Sequence, residues 1–238
     1  MLELQHVSYS APVDGGVKEI IKDVSLGINE KFVAFTGPNG GGKSTLAKLI
    51  MGLYKPTEGR ILFDGVDITD MSVTDRAKAG IGYAFQNPVK FKGITVSDLI
   101  NIAAGKRLSV ADVCGYLSEV GLCARDYVNR EINASLSGGE LKRIEIAVAL
   151  VRGCKLTLFD EPEAGIDLWS FGNLIGVFEK MNQKIDGSIL IISHQERILR
   201  IADRIIVLSG GSVVKDGTAS ELEGVLSDGF CNTLKNKI

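Results

Sequence analysis

The sequence predicts an α/β protein with a mainly parallel core sheet, helices on both of its faces, and an inserted helical subdomain. Three observations carry that expectation. Apolar runs of strand length at residues 32–35 (FVAF), 155–159 (KLTLF), 188–192 (SILII) and 204–208 (RIIVL) alternate with segments of helical period. Such runs fit strands buried on both faces, as in a parallel sheet whose crossovers are helices. The glycine-rich stretch 37–45 (GPNGGGKST) stands directly between the first run and a helix start. From about 89 to 150 the apolar spacing turns helical, with Val96, Leu99 and Ile100, then Val113, Leu117 and Val120, at three- and four-residue steps.

In chain order, residues 2–9 and 24–28 alternate apolar and polar side chains as half-buried strands do, with Pro12 and residues 14–16 (DGG) marking a turn between them. The strand at 32–35 leads through the glycine-rich stretch into a helix that stops at Gly52, before Lys55 and Pro56. Residues 58–65 read as two short strand pieces around the Asp64-Gly65 turn, and 81–85 as a buried strand ending at 86–88 (QNP). Helices are expected near 167–185 and 195–202, and a polar helical tail over 215–238. The whole chain is expected to be one domain, with its core in 1–88 and 151–238 and the helical subdomain at about 89–150.

At 238 residues, 45% hydrophobic and 24% charged, the chain can bury a substantial core. A net charge of −2 gives no basic footprint for nucleic acid or an anionic membrane. Cys114, Cys123, Cys154 and Cys231 form no C-x-x-C pair or metal-ligand spacing, and the first residues carry no basic or long apolar leader. No apolar run reaches the length of about 20 residues that spans a bilayer. The expectation is therefore a cytoplasmic protein that does not insert into the membrane itself.

The stretch 37–45 satisfies G-x-x-x-x-G-K-[ST] in the strand-to-helix context that motif requires. Gly37, Pro38, Asn39, Gly40, Gly41 and Gly42 let the backbone close on a phosphate, so that successive N–H groups and the helix N-terminus face one anion. Lys43 is expected to neutralise β/γ-phosphate oxygens, Ser44 to ligate Mg²⁺, and Thr45 to complete the loop. The apolar strand 156–159 delivers Asp160 and Glu161 at its C-terminal end, where ligands sit in open α/β sheets. Asp160 would hold the Mg²⁺ shell, and Glu161, one residue further out, would orient or deprotonate a water attacking the γ-phosphate. Residues 136–140 (LSGGE) place Ser137, Gly138 and Gly139 at another helix N-terminus, which reads either as an ordinary N-cap or as a second phosphate-seeking surface.

The phosphate loop, Gln86, the LSGGE segment, Asp160-Glu161 and His194 occur in the order found in the ATP-binding cassette (ABC) ATPases, and the resemblance runs from residue 2 to about 217. It implies a P-loop NTPase fold of the ABC nucleotide-binding type, with an antiparallel β subdomain beside the mainly parallel core and the inserted helical subdomain. It also implies a Mg²⁺-dependent ATPase that pairs head-to-tail with a second copy of itself or a homologous ABC ATPase. Ser137, Gly138 and Gly139 of one copy then cap the ATP on the other's phosphate loop. By the same resemblance Gln86 senses Mg²⁺ and the attacking water, Asp167 links the two sites, and His194 contacts the γ-phosphate. ATP rather than GTP is implied by the family. The position where family members often stack adenine on an aromatic is Ala11 here, and Tyr9 on the same strand face is the expected substitute.

Residues 61–70 with 75–77 (DRA), 84–89, 140–146 (ELKRIEI) and 193–199 (SHQERIL) look like the Suf-type ATPase of iron–sulfur cluster assembly. On that resemblance the partner is a cluster-assembly scaffold. A short 86–136 segment and 57–59 (TEG) resemble transporter subunits, whose partner is a membrane permease. A third alternative is a regulatory module that binds ATP without hydrolysing it. The partner face in either driven complex is expected on the helical subdomain around residues 89–112.

Overall fold

The computed structural model describes residues 1–133, 135–166 and 168–223. Two sheets organise the chain, one antiparallel and one mainly parallel, with a helix from the phosphate loop packed between them. The first is a four-stranded antiparallel sheet of order β2-β1-β4-β5, made of β1 (Leu2–Val13), β2 (Gly16–Ile28), β4 (Glu58–Phe63) and β5 (Val66–Asp67). The β1–β2 hairpin extends further than alternation suggests. Pro12 is accommodated near the end of β1, and the turn is confined to Asp14 and Gly15. The second sheet has the order β10-β9-β3-β8-β7-β6. It comprises β3 (Phe32–Thr36), β6 (Ile81–Ala84), β7 (Leu156–Asp160), β8 (Ser188–Ile192) and β9 (Arg204–Ser209), all parallel, and β10 (Ser212–Gly217), which pairs antiparallel with β9.

β3, β7 and β8 are buried at every position, as expected of strands covered on both faces. On one face, Val33 and Phe35 of β3 pack with the first sheet and with Leu46, Leu49 and Ile50 of α1 (Lys43–Met51). On the other, Phe32, Phe159 and Phe178 cluster with α3 (Val96–Ala104), α4 (Val110–Glu119), α5 (Ala124–Tyr127), α6 (Gly138–Arg152), α7 (Leu168–Lys184) and α8 (Glu196–Arg200). Capping boxes fix the starts of three of these helices, at Thr95–Asp98, Ser109–Asp112 and Ser137–Glu140.

One expectation is corrected. Residues 215–217, the start of the expected helical tail, are instead the end of strand β10, because Gly210 and Gly211 take left-handed angles that turn the chain back along β9. Arg204 then ties the pair together through both oxygens of Asp216 at 2.7 Å. The rest of the proposed tail, from 224, lies outside the described residues. Short α2 (Val73–Ala79) was not anticipated; it is capped by Ser72, and its Arg76 is fully buried. The Arg76 guanidinium donates to the carbonyls of Leu49 and Ile50 at 2.7 Å, Thr69 at 2.9 Å and Met71 at 3.1 Å. It thereby satisfies C-terminal carbonyls of α1, the end opposite the phosphate loop, where a cation also suits the helix dipole.

Candidate functional site

The parallel sheet brings the C-terminal ends of β3, β6, β7 and β8 to one edge, and the sequence-predicted polar residues gather there. The loop between β3 and α1 turns on glycines that no other residue could replace. At Gly37, with φ of 127°, a Cβ would lie 2.0 Å from the Leu208 carbonyl oxygen, and at Gly42, with φ of 101°, it would lie 2.7 Å from Ile21 Cδ1. The Lys43 ammonium donates to the Gly37 and Pro38 carbonyls at 2.8 and 3.0 Å, so the loop holds its own lysine. Burial pulls the Lys43 pKa down, and the charges of Glu161 and Asp160 partly offset this.

Asp160 is almost fully buried and accepts on both oxygens, from Ser44 Oγ at 2.9 Å and from Tyr83 Oη at 2.8 Å. Tyr83 was not foreseen, because one tyrosine in an apolar strand reads as core. Burial first, and then the Asp160 carboxylate, push its phenol far above the ordinary range, so it remains a donor.

Glu161 follows with φ of 47°, a left-handed angle at a residue that is not glycine. Such a conformation costs on the order of 1–3 kcal/mol and is typical of functional positions. Its own N–H donates to the Ile192 carbonyl at 3.0 Å, which fixes the turn. Its two carboxylate oxygens face different partners: Gln86 Nε2 donates to Oε2 at 2.6 Å, and His194 Nε2 lies 3.7 Å from Oε1. Burial, and next the Lys43 charge, hold the His194 imidazolium below its usual pKa, against the opposing pull of Glu161.

Glu163 is a second residue that inspection of the motifs missed. Its Oε1 accepts from Ser193 Oγ at 2.5 Å and from the His194 N–H at 3.4 Å, linking the β7 exit to the β8 exit. Its Oε2 is buried without a partner among the described residues, and burial raises its pKa.

A cleft of about 780 Å³ lies over the phosphate loop, lined by residues 39–45, Gln86, Glu161, Gly210 and the hairpin tip through Val13, Lys18, Glu19, Ile20 and Lys22. Tyr9 is not part of it. Its ring stacks on Tyr54 at 5.2 Å and 3° between planes, whereas Val13, half exposed, and Ile20 are the apolar hairpin residues that line the cleft. Ser137, Gly138 and Gly139 also lie outside the cleft lining, at the start of α6. There Ser137 is an N-cap whose Oγ accepts from the Glu140 N–H at 3.3 Å, while the Ser137 N–H donates to Glu140 at 2.6 Å. A Cβ on Gly138 would stand 3.6 Å from the Gly165 carbonyl. Asp167 lies outside the described residues.

The donor chemistry fits a magnesium nucleotide. Among the described residues no three His, Cys, Asp or Glu side chains form a metal cage. A hydroxyl and a carboxylate held 2.9 Å apart beside a phosphate loop are what Mg²⁺ uses, since it takes few protein ligands and completes its shell with phosphate oxygens and water.

These features define a nucleoside-triphosphate-binding α/β domain whose phosphate loop, Gln86 and Glu161 line one cleft, with Asp160 buried beside it on Ser44. Residues 21–164 match the family model described as ABC transporter, and the chain belongs to that family as an ABC ATPase with the P-loop ABC nucleotide-binding fold. It is 40% identical over 216 residues to an uncharacterised ABC transporter ATP-binding protein, MJ0035, of Methanocaldococcus jannaschii, covering 87% of this chain and 86% of that protein. It is 32% identical to the iron–sulfur cluster assembly protein SufC of Plasmodium berghei, over 97% of this chain and 67% of that protein. Among solved structures, the dimeric post-hydrolysis state of the ATP-binding cassette MJ0796 bound to ADP and Pi superposes with a TM-score of 0.81 at 26% identity, covering 92% of this chain and 98% of that one.

Proposed function

We propose that this chain is an ATP-hydrolysing ABC subunit that pairs head-to-tail with a second copy or a homologous ABC ATPase and drives a membrane permease from its cytoplasmic face. The observation that carries the hydrolytic part is the placement of Gln86 and His194 on opposite oxygens of Glu161, beside Ser44 and Asp160. In this reading Gly37 to Thr45 bind the ATP phosphates, and Lys43 leaves its loop carbonyls for a phosphate oxygen. Ser44 and Asp160, with Gln86, hold Mg²⁺, which when bound offsets negative charge on the phosphoryl oxygens. Glu161 orients or deprotonates the attacking water, Gln86 fixes the carboxylate and that water together, and neutral His194 donates its Nε2–H toward the γ-phosphate. Ser137 to Gly139, outside their own chain's cleft, complete the partner's, with Asp167 as the link between sites.

The names of the transporter relatives support a permease as the driven partner. An apolar groove in which Phe85, Val89 and Phe91 are exposed beside Gln86 suits either driven partner. The iron–sulfur scaffold, the first expectation from the motifs, is the second reading; the 32% identity to SufC along nearly the whole chain and the ELKRIEI segment favour it. Intact Lys43, Asp160, Glu161 and His194 argue against a module that never hydrolyses.

Phosphate release from purified protein with ATP and Mg²⁺, lost in Glu161→Gln, is the test. The same variant is expected to elute as a dimer with ATP. Equal release from both proteins overturns the role of Glu161. Pull-down from detergent extract separates a polytopic membrane partner from an iron-containing soluble scaffold.

A further inference from the structure

The segment after the LSGGE motif carries an ion pair that the nucleotide chemistry does not use. Lys142 and Glu145 lie one turn apart on α6, at i and i+3. Lys142 is 2% exposed, which is costly for an ammonium unless its donors are engaged. They are engaged at one place on another segment: Lys142 Nζ donates to the Phe85 carbonyl and lies 3.4 Å from Glu145 Oε2, while Glu145 Oε1 accepts from the Phe85 N–H at 2.9 Å. One residue therefore has both of its backbone polar groups gripped by two side chains of one helix. That residue directly precedes Gln86, and its ring is a wall of the exposed apolar groove, which Glu145 also lines.

We propose that Lys142 and Glu145 are positioning residues that clamp the Phe85 backbone and thereby set Gln86 against Glu161. The inference rests on the ATPase reading above. Its physical basis is the absence of slack. Phe85 cannot move along or across β6 without breaking a bond to a buried ion pair, and an uncompensated buried charge is strongly disfavoured. Motion of Phe85 therefore has to move with α6, the helix that begins at Ser137. Burial raises the Glu145 carboxyl and Lys142 pulls it back, so loss of Lys142 leaves a group that can neutralise itself by protonation and need not unfold the helix.

The test combines a double-mutant cycle with amide exchange on the full chain. Lys142→Met keeps the apolar stem of the side chain. It is expected to lower kcat for ATP roughly ten- to hundredfold, as a small misplacement of a catalytic group does, with KM changed less than about threefold. The Lys142→Met/Gln86→Ala double variant is expected to match Gln86→Ala within about twofold, because a clamp acting through Gln86 then has nothing left to position. Losses that multiply overturn the proposal. Glu145→Gln, which keeps an oxygen for the Phe85 N–H but removes the ion pair, serves if Lys142→Met folds poorly. In nucleotide-free protein the amide of residue 85 is expected to exchange faster in either variant, and unchanged exchange overturns the clamp. That readout does not depend on turnover, so a wild-type protein that releases no phosphate would refute the ATPase reading and leave the clamp to be judged separately.

Discussion

Gln86 Nε2 and Glu161 Oε2 lie 2.6 Å apart although 75 residues separate them in sequence, and the amide has no comparable contact with the phosphate loop. Gln86→Ala is therefore expected to lower kcat about tenfold or more while the affinity for a fluorescent ATP analogue stays near the wild-type value. A fall in affinity with unchanged kcat would assign Gln86 to nucleotide binding.

Tyr83 supplies one of the two hydrogen bonds that orient Asp160. Partners that orient a metal-binding carboxylate typically change metal affinity about 10- to 100-fold when removed. Tyr83→Phe should therefore raise the Mg²⁺ concentration for half-maximal phosphate release by about tenfold, with the phosphate loop unaffected. An unchanged Mg²⁺ titration would argue that Asp160 is held by Ser44 alone.

His194 has a lowered pKa in the fold, chiefly through burial, so the unfolded chain takes up its proton first as pH falls. The sign follows. Stability from neutral His194 is present above its unfolded value of about 6.5 and is lost as pH falls toward the lower folded value. Melting temperatures measured from pH 8 to pH 5 should drop more steeply for wild type than for His194→Gln. Parallel curves would remove His194 as the source.

Arg76 ties four carbonyls with a guanidinium that has no carboxylate partner among the described residues. Arg76→Ala should cost roughly 3 kcal/mol in denaturant unfolding, through several buried carbonyls left without donors. Arg76→Lys should recover little of this, since one ammonium cannot reproduce the planar fork.

The sequence by itself determined the layered α/β fold and most of the site's membership. Short, mostly apolar runs at 32–35, 156–159 and 188–192, each followed by polar or glycine residues, fit strands covered on both faces, and the glycines of 37–42 fit a tight strand-to-helix turn. Parallel strands then carry Ser44, Gln86, Asp160, Glu161 and His194 to one edge, wherever each lies in the chain. Only the tertiary structure decided the pairings. Which oxygen of Asp160 meets Ser44 and which meets Tyr83 depends on the β6–β7 register and on rotamers, not on periodicity. Tyr9 stacks on Tyr54, 45 residues away, a contact that local pattern does not show. By local spacing alone Lys142 and Glu145 are an ordinary i,i+3 pair on one helix. They are a buried grip on Phe85 because α6 packs against the end of β6, and that contact is written in the fold and not in the local pattern.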